Sequence, residues 1–141
     1  MQLENRRVAI LGGSAGIGLA TATLLAERGA EVTIGGRDER RLADAASSLP
    51  GSARTIVVDA TDSSSLRNFF SQAGLLDDLV VTVTSRNNSG AGAAHTLADH
   101  DLATAFAGKL IPHLRAVALS LATRRAQAVQ PLAPASPIAL P

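Results

Sequence analysis

The chain has 141 residues, one domain by length and enough for a single core. Its apolar fraction of 46% and charged fraction of 18% describe a globular protein rather than a disordered one. A net charge of +1 and only three phenylalanines as aromatics argue against nucleic acid or an anionic membrane as partner. The absence of cysteine excludes disulfides, thiolate chemistry and cysteine-ligated metals.

Arg6-Arg7 and the apolar stretch after it superficially match an export signal. Glycines and Ser14 interrupt that stretch, and Glu27-Arg28 closes it in an amphipathic way. No run reaches the roughly 18 apolar residues of a membrane span, so a cytoplasmic protein is expected.

In chain order, residues 8–11 form the first predicted strand, and the run Gly12-Gly13-Ser14-Ala15-Gly16-Ile17-Gly18 follows it directly. An Ala- and Leu-rich helix is predicted over 19–28, stopping at Gly29. A second strand over 32–34 leads into Gly35-Gly36-Arg37, and a second helix over 38–49 has an acidic cap and a Pro50-Gly51 stop. The third strand, 55–58, ends in Asp59-Ala60. The third helix, 63–73, carries a Leu66/Phe69/Phe70 stripe and stops at Gly74.

A fourth strand over 79–84 and a loop over 85–94 precede a long helix from about 99 to 125. That helix places Leu102, Phe106, Leu110, Leu114, Val117 and Leu121 at helical spacing. The composition then turns to Ala, Leu and Pro, so residues 1–128 are expected to be the domain and 129–141 a loose tail. None of the strands alternates cleanly with polar residues, which suits burial on both faces. Strands alternating with helices predict an α/β, Rossmann-like parallel sheet with helices on both faces.

Strand, glycine turn and helix start, in that order, make a place for a pyrophosphate. Glycines let the backbone approach the ligand, and the helix's first free N–H groups face its charge. Gly12, Ser14, Ala15, Gly16, Ile17 and Gly18 are the candidate residues around that group. Arg37, at the end of the second strand, falls where an adenosine ribose would lie. Asp59 and Ala60, after the third, fall where a carboxylate could accept a hydrogen bond from the adenine amino group.

These motifs resemble the short-chain dehydrogenase/reductase family. Its usual Thr-Gly-x-x-x-Gly-Ile-Gly is matched by Gly12, Gly16, Ile17 and Gly18, with Leu11 in place of the threonine. Glu27-Arg28-Gly29-Ala30, Arg37 with Glu39-Arg40-Arg41-Leu42, and Asp59-Ala60-Thr61-Asp62 continue the likeness in register. It covers about residues 6–84 well and about 99–125 faintly. The resemblance implies a nicotinamide dinucleotide cofactor.

NAD-specific members place a carboxylate at the end of the second strand, where it binds the ribose hydroxyls and repels a phosphate. Gly36 leaves that position open here, and the Arg37 guanidinium suits a 2′-phosphate. The expected cofactor is therefore NADP(H), with NAD as the alternative.

The resemblance also has gaps. The family's Asn-Asn-Ala-Gly after the fourth strand is replaced by Thr82-Val83-Thr84-Ser85-Arg86, and Asn87-Asn88-Ser89-Gly90 comes later. Lys109, the chain's single lysine, stands where the long helix usually carries an asparagine. The family's chemistry needs a Tyr, a Lys and a Ser from a fifth strand and helix, yet the sequence contains no tyrosine. No catalytic residue is assigned.

A sheet truncated after about four strands is the structural expectation, with the fourth strand an apolar edge and the long helix missing part of its packing. Two functional readings follow. One is a truncated NADP(H)-binding oxidoreductase. The other is a non-catalytic nucleotide-binding module that self-associates, or binds a partner chain, through that edge and helix. His95, His100 and His113 with Asp99 and Asp101 match no usual metal-ligand spacing. Arg115, Arg124 and Arg125 read as complements to the long helix's dipole.

Overall fold

A computed structural model of the chain describes residues 3–83 and 99–128, with side chains in the second stretch at 103, 104 and 107–122. The predicted loop, the Asn87-Asn88-Ser89-Gly90 run, His95 and the tail from 129 lie outside the described residues.

Among the described residues the strands are β1 (Arg7–Leu11), β2 (Glu31–Gly36), β3 (Arg54–Val57) and β4 (Asp78–Val81). They form a parallel sheet in the order β3-β2-β1-β4. Ile10 in β1 stands opposite Ile34 in β2 on one side and Val80 in β4 on the other. The helices α1 (Gly16–Glu27), α2 (Glu39–Ser48), α3 (Ser63–Ala73) and α4 (Asp99–Ala128) provide the crossovers and the closing layer.

The strand period of two divides the core. Val8 and Ile10 point to one face, where they meet Ala22 of α1 and Leu42 and Ala45 of α2. Ala9 and Leu11 point to the other, against Leu66, Phe69 and Phe70 of α3 and Ala116 of α4. Because both faces are covered, β1 reads as a continuous apolar run rather than an alternating one. Phe69 and Phe70 meet edge to face, with ring centroids 5.3 Å apart. At the other end of the sheet, Arg6 forms an ion pair with Asp78 at 2.7 Å, and the Arg7 N–H donates to Asp77 Oδ2 at 2.8 Å.

The helix caps follow from single side chains. Asp38 accepts from the Arg41 N–H at the start of α2, and Asp62 accepts from the Ser64 and Ser65 N–H groups at the start of α3. Asp38→Ala is expected to lower stability by about 1 kcal/mol in a denaturant titration, the ordinary cost of losing such a cap. An unchanged midpoint would show that Asp38 contributes nothing there. The α1 end is closed by Gly29 N–H donating to the Ala26 carbonyl and Ala30 N–H to the Leu25 carbonyl.

Element boundaries depart from expectation in places. Helix α1 begins at Gly16, three residues before its apolar pattern, because the N-cap is Ala15 and no capping side chain announces it. β4 ends at Val81, and Thr82 and Val83 continue outside the ladder. The long helix α4 was expected to miss part of its packing. Its stripe of Leu110, Leu114, Val117 and Leu121 faces solvent, and the buried face consists of Pro112 and Ala116 with half-buried Leu119 beside them. Small residues on that face let α4 approach α3 and β4 closely.

Candidate functional site

The carboxyl ends of the strands open into a cleft of about 280 Å³, at the point where the chain turns from the β1–β2 side of the sheet to the β4 side. Its walls are Gly12, Ser14 and Ala15 from the β1–α1 turn, and Gly36, Arg37, Asp38 and Arg41 from the end of β2 and the start of α2. Val58, Asp59, Ala60 and Thr61 follow β3, and Thr82, Val83, Gly108 and Pro112 close the β4–α4 side. Gly12, Ser14, Ala15, Arg37, Asp59 and Ala60 are thus brought together as the sequence suggested. Gly16, Ile17 and Gly18 form the adjoining first turn of α1, with Ile17 exposed.

Close approach explains Gly18. A Cβ there would lie 2.2 Å from the Gly12 carbonyl oxygen and 2.6 Å from Thr82 Oγ1. Gly16 has a φ of +55°, the left-handed region, and a Cβ on it would meet nothing within 4 Å. Ala15, the N-cap, is extended and offers no side-chain acceptor, so the first turn of α1 has no side-chain cap.

Thr82 is a site residue that sequence reading treated only as a departure. Its hydroxyl lies 3.0 Å from the Leu11 carbonyl oxygen and 3.3 Å from that of Gly12, tying the glycine turn to the chain leaving β4. The only signal was its position directly after an apolar strand. Pro112 has no N–H to give the Gly108 carbonyl four residues earlier, and both residues line the cleft.

At the end of β2 there is room. A Cβ on Gly36 would sit 3.4 Å from Leu42 Cδ2 and 3.5 Å from Ser14 Oγ, ordinary contact distances. Two guanidinium-bearing residues, Arg37 and Arg41, share that part of the wall. Arg41 was not singled out from sequence, although its spacing of four from Arg37 across a helix start was the available signal.

Asp59 is held by its own turn. Its Oδ1 accepts from the Thr61 hydroxyl at 2.7 Å and from the Thr61 N–H at 2.9 Å, and its N–H donates to Ser65 Oγ at 2.9 Å. The Thr61 hydroxyl bond, then the Thr61 N–H and more weakly the Arg37 charge, hold this carboxyl below its ordinary pKa. A carboxylate whose folded pKa is depressed stabilises the fold above its unfolded pKa of about 4, and that contribution is lost as pH falls through the folded value. Asp59→Asn is therefore expected to flatten the acid limb of a stability-versus-pH profile below about pH 4. Parallel limbs in the two proteins would refute the assignment.

Arg115 is not a dipole complement near a helix end. It sits inside α4, and its Nη1 donates to the Thr61 carbonyl oxygen at 2.6 Å. His113 makes a local ring-nitrogen contact with the Lys109 carbonyl. Among the described residues, no three His, Asp or Glu side chains gather as a metal site. No helix among them is long and apolar enough to cross a membrane.

Comparison with known proteins gives a consistent picture. A family model described as short chain dehydrogenase matches residues 6–127. Over 50 residues, or 36% of its length, the chain is 56% identical to an uncharacterized oxidoreductase, DltE, of Bacillus subtilis (strain 168). Among solved structures, it superposes on a short chain dehydrogenase from Mycobacterium smegmatis with a TM-score of 0.76 at 25% identity, over 89% of this chain and 55% of that one. A short-chain dehydrogenase/reductase from Serratia marcescens BCRC 10948 gives 0.73 at 27% identity, over 87% of this chain and 52% of that one. The chain spans about half the length of these solved structures and 20% of the curated relative.

Proposed function

Because the chain belongs to the short-chain dehydrogenase family, we propose that its cleft holds NADP(H) and that it forms the cofactor-binding part of an oxidoreductase. The observation that carries the preference for the phosphorylated cofactor is the Gly36 position. It is open enough for ribose substituents, lacks a carboxylate, and is followed by Arg37 with Arg41 on the same wall. Guanidinium groups suit a phosphate both in charge and in the geometry of their donors.

In this reading the α1 N–H groups and the turn from Gly12 to Ala15 hold the diphosphate, and Asp59 with Ala60 hold the adenine end. When bound, the nicotinamide would supply hydride transfer. Thr82 keeps the glycine turn fixed against the β4 end, so the phosphate cradle is formed before ligand arrives.

The 141 residues include no tyrosine to act as a proton donor, and the chain by itself is proposed to bind cofactor without turning over carbonyl compounds. The protein is proposed to act in the cytoplasm and to self-associate through the β4 edge and the exposed apolar stripe of α4. Sedimentation of the purified chain as a monomer at all concentrations would remove that last element.

Calorimetric titration of the purified chain with NADPH and NADH tests the cofactor assignment. Saturable binding, tighter for NADPH, is the expected result. Tighter binding of NADH would reverse the preference.

A further inference from the structure

Resting on the reading of the cleft as a dinucleotide site, we propose that Arg115 is a positioning residue for nucleobase selection, acting through the Thr61 carbonyl on the carboxylate of Asp59. The two ends of this linkage lie 54 residues apart in sequence, and a single hydrogen bond of 2.6 Å from Arg115 Nη1 to the Thr61 carbonyl joins them.

Thr61 is the hinge of the arrangement. Its carbonyl accepts from α4, while its N–H and hydroxyl both donate to Asp59 Oδ1, at 2.9 and 2.7 Å. Every polar group of Thr61 is therefore engaged, two on the Asp59 carboxylate and one on Arg115. The Asp59 N–H is fixed separately, by Ser65 Oγ. Asp59 and Thr61 both line the cleft, whereas Arg115 does not, so any influence of Arg115 on a bound base must travel through that turn.

The turn is closed by the Asp62 N–H donating to the Asp59 carbonyl at 3.1 Å, and the Arg115 bond adds a hold on it from α4. The Thr61 N–H belongs to the peptide unit before its Cα and its carbonyl to the unit after it, so engaging both fixes the backbone of Thr61 in one orientation. That orientation keeps Oδ1 occupied and defines where the remaining carboxylate oxygen lies. Replacing adenine by hypoxanthine removes the exocyclic amino donor and puts a carbonyl in its place. A carboxylate held in one position distinguishes the two; a carboxylate free to move does so less well.

The test is calorimetry on the full chain with two probes, NADPH and its hypoxanthine analogue, for wild type, Arg115→Met, Arg115→Lys and Asp59→Ala. Circular dichroism confirms that each variant is folded. Arg115→Met is expected to weaken NADPH binding about 5- to 10-fold, less than a buried charge-assisted hydrogen bond would give, because this bond is exposed to solvent. Binding of the analogue should change less than about twofold, since it lacks the amino group being read. Arg115→Lys, which retains a cationic donor, should restore most of the NADPH affinity, and Asp59→Ala should abolish the preference for adenine.

Equal weakening toward both probes would mean that Arg115 only supports the fold, and would overturn the proposal. So would an Arg115→Met variant that keeps the wild-type preference. Failure of the underlying site is distinguishable, because wild type would then bind neither nucleotide.

Discussion

Gly18→Ala is expected to abolish measurable dinucleotide binding and to lower stability by about 1–3 kcal/mol, the usual cost of an extra group forced into a packed site. The added Cβ would be only 2.2 Å from the Gly12 carbonyl oxygen, which is backbone and cannot rotate aside. Relief must come from moving the glycine turn away from α1, and that movement also breaks the alignment of the turn with the helix's free N–H groups. The Thr82 hydroxyl, tied to the Gly12 carbonyl, would be displaced as well. Gly16→Ala provides the contrast. Its Cβ would meet no neighbour, leaving only the left-handed backbone strain of about 1–2 kcal/mol. Thermal denaturation with parallel NADPH titration separates the two. A Gly18→Ala protein that binds NADPH like wild type would show that the close crossing has no part in the site.

The second large effect concerns cofactor choice. In the double variant Gly36→Asp with Arg37→Ala, the ratio of NADPH to NADH affinity is expected to fall by about 100-fold. A charge-assisted bond from a guanidinium to a phosphate contributes about 1.5–3 kcal/mol, roughly 10- to 150-fold, and the new carboxylate adds repulsion. The fold should tolerate the change, because a Cβ at position 36 meets Leu42 and Ser14 only at 3.4 Å and beyond. Arg41 remains on the same wall and should preserve part of the phosphate affinity. Measured dissociation constants for the two cofactors decide the matter. An unchanged ratio would remove Arg37 from the specificity site.

The element order was legible in the sequence because each element is bounded by chemistry that acts locally. Asp38 caps its helix, Gly29 and Gly74 end theirs, and the strands are short apolar runs between them. The glycine turn was legible for a similar reason, since its requirement is steric and written in residue type. What escaped was long-range. Thr82 and Arg115 act on carbonyl groups 70 or 71 and 54 residues away, and nothing in their neighbourhoods reports that. The contacts of α4 were long-range too. Leu110, Leu114, Val117 and Leu121 recur at helical spacing, yet the core received Pro112 and Ala116, and the incomplete packing expected of this helix falls on the stripe. Periodicity reveals that a helix has an apolar side; it does not reveal which neighbour accepts it.

The central claim is that a dinucleotide's diphosphate rests on the backbone N–H groups at the start of α1. An amide-resolved NMR titration of the folded chain with NADPH reads those groups one by one. The amides of Gly13 to Gly18 should show the largest shifts and saturate together with those of Asp59 and Ala60. Saturable binding that leaves the Gly16, Ile17 and Gly18 signals in place, with the shifts gathered elsewhere, would contradict the account.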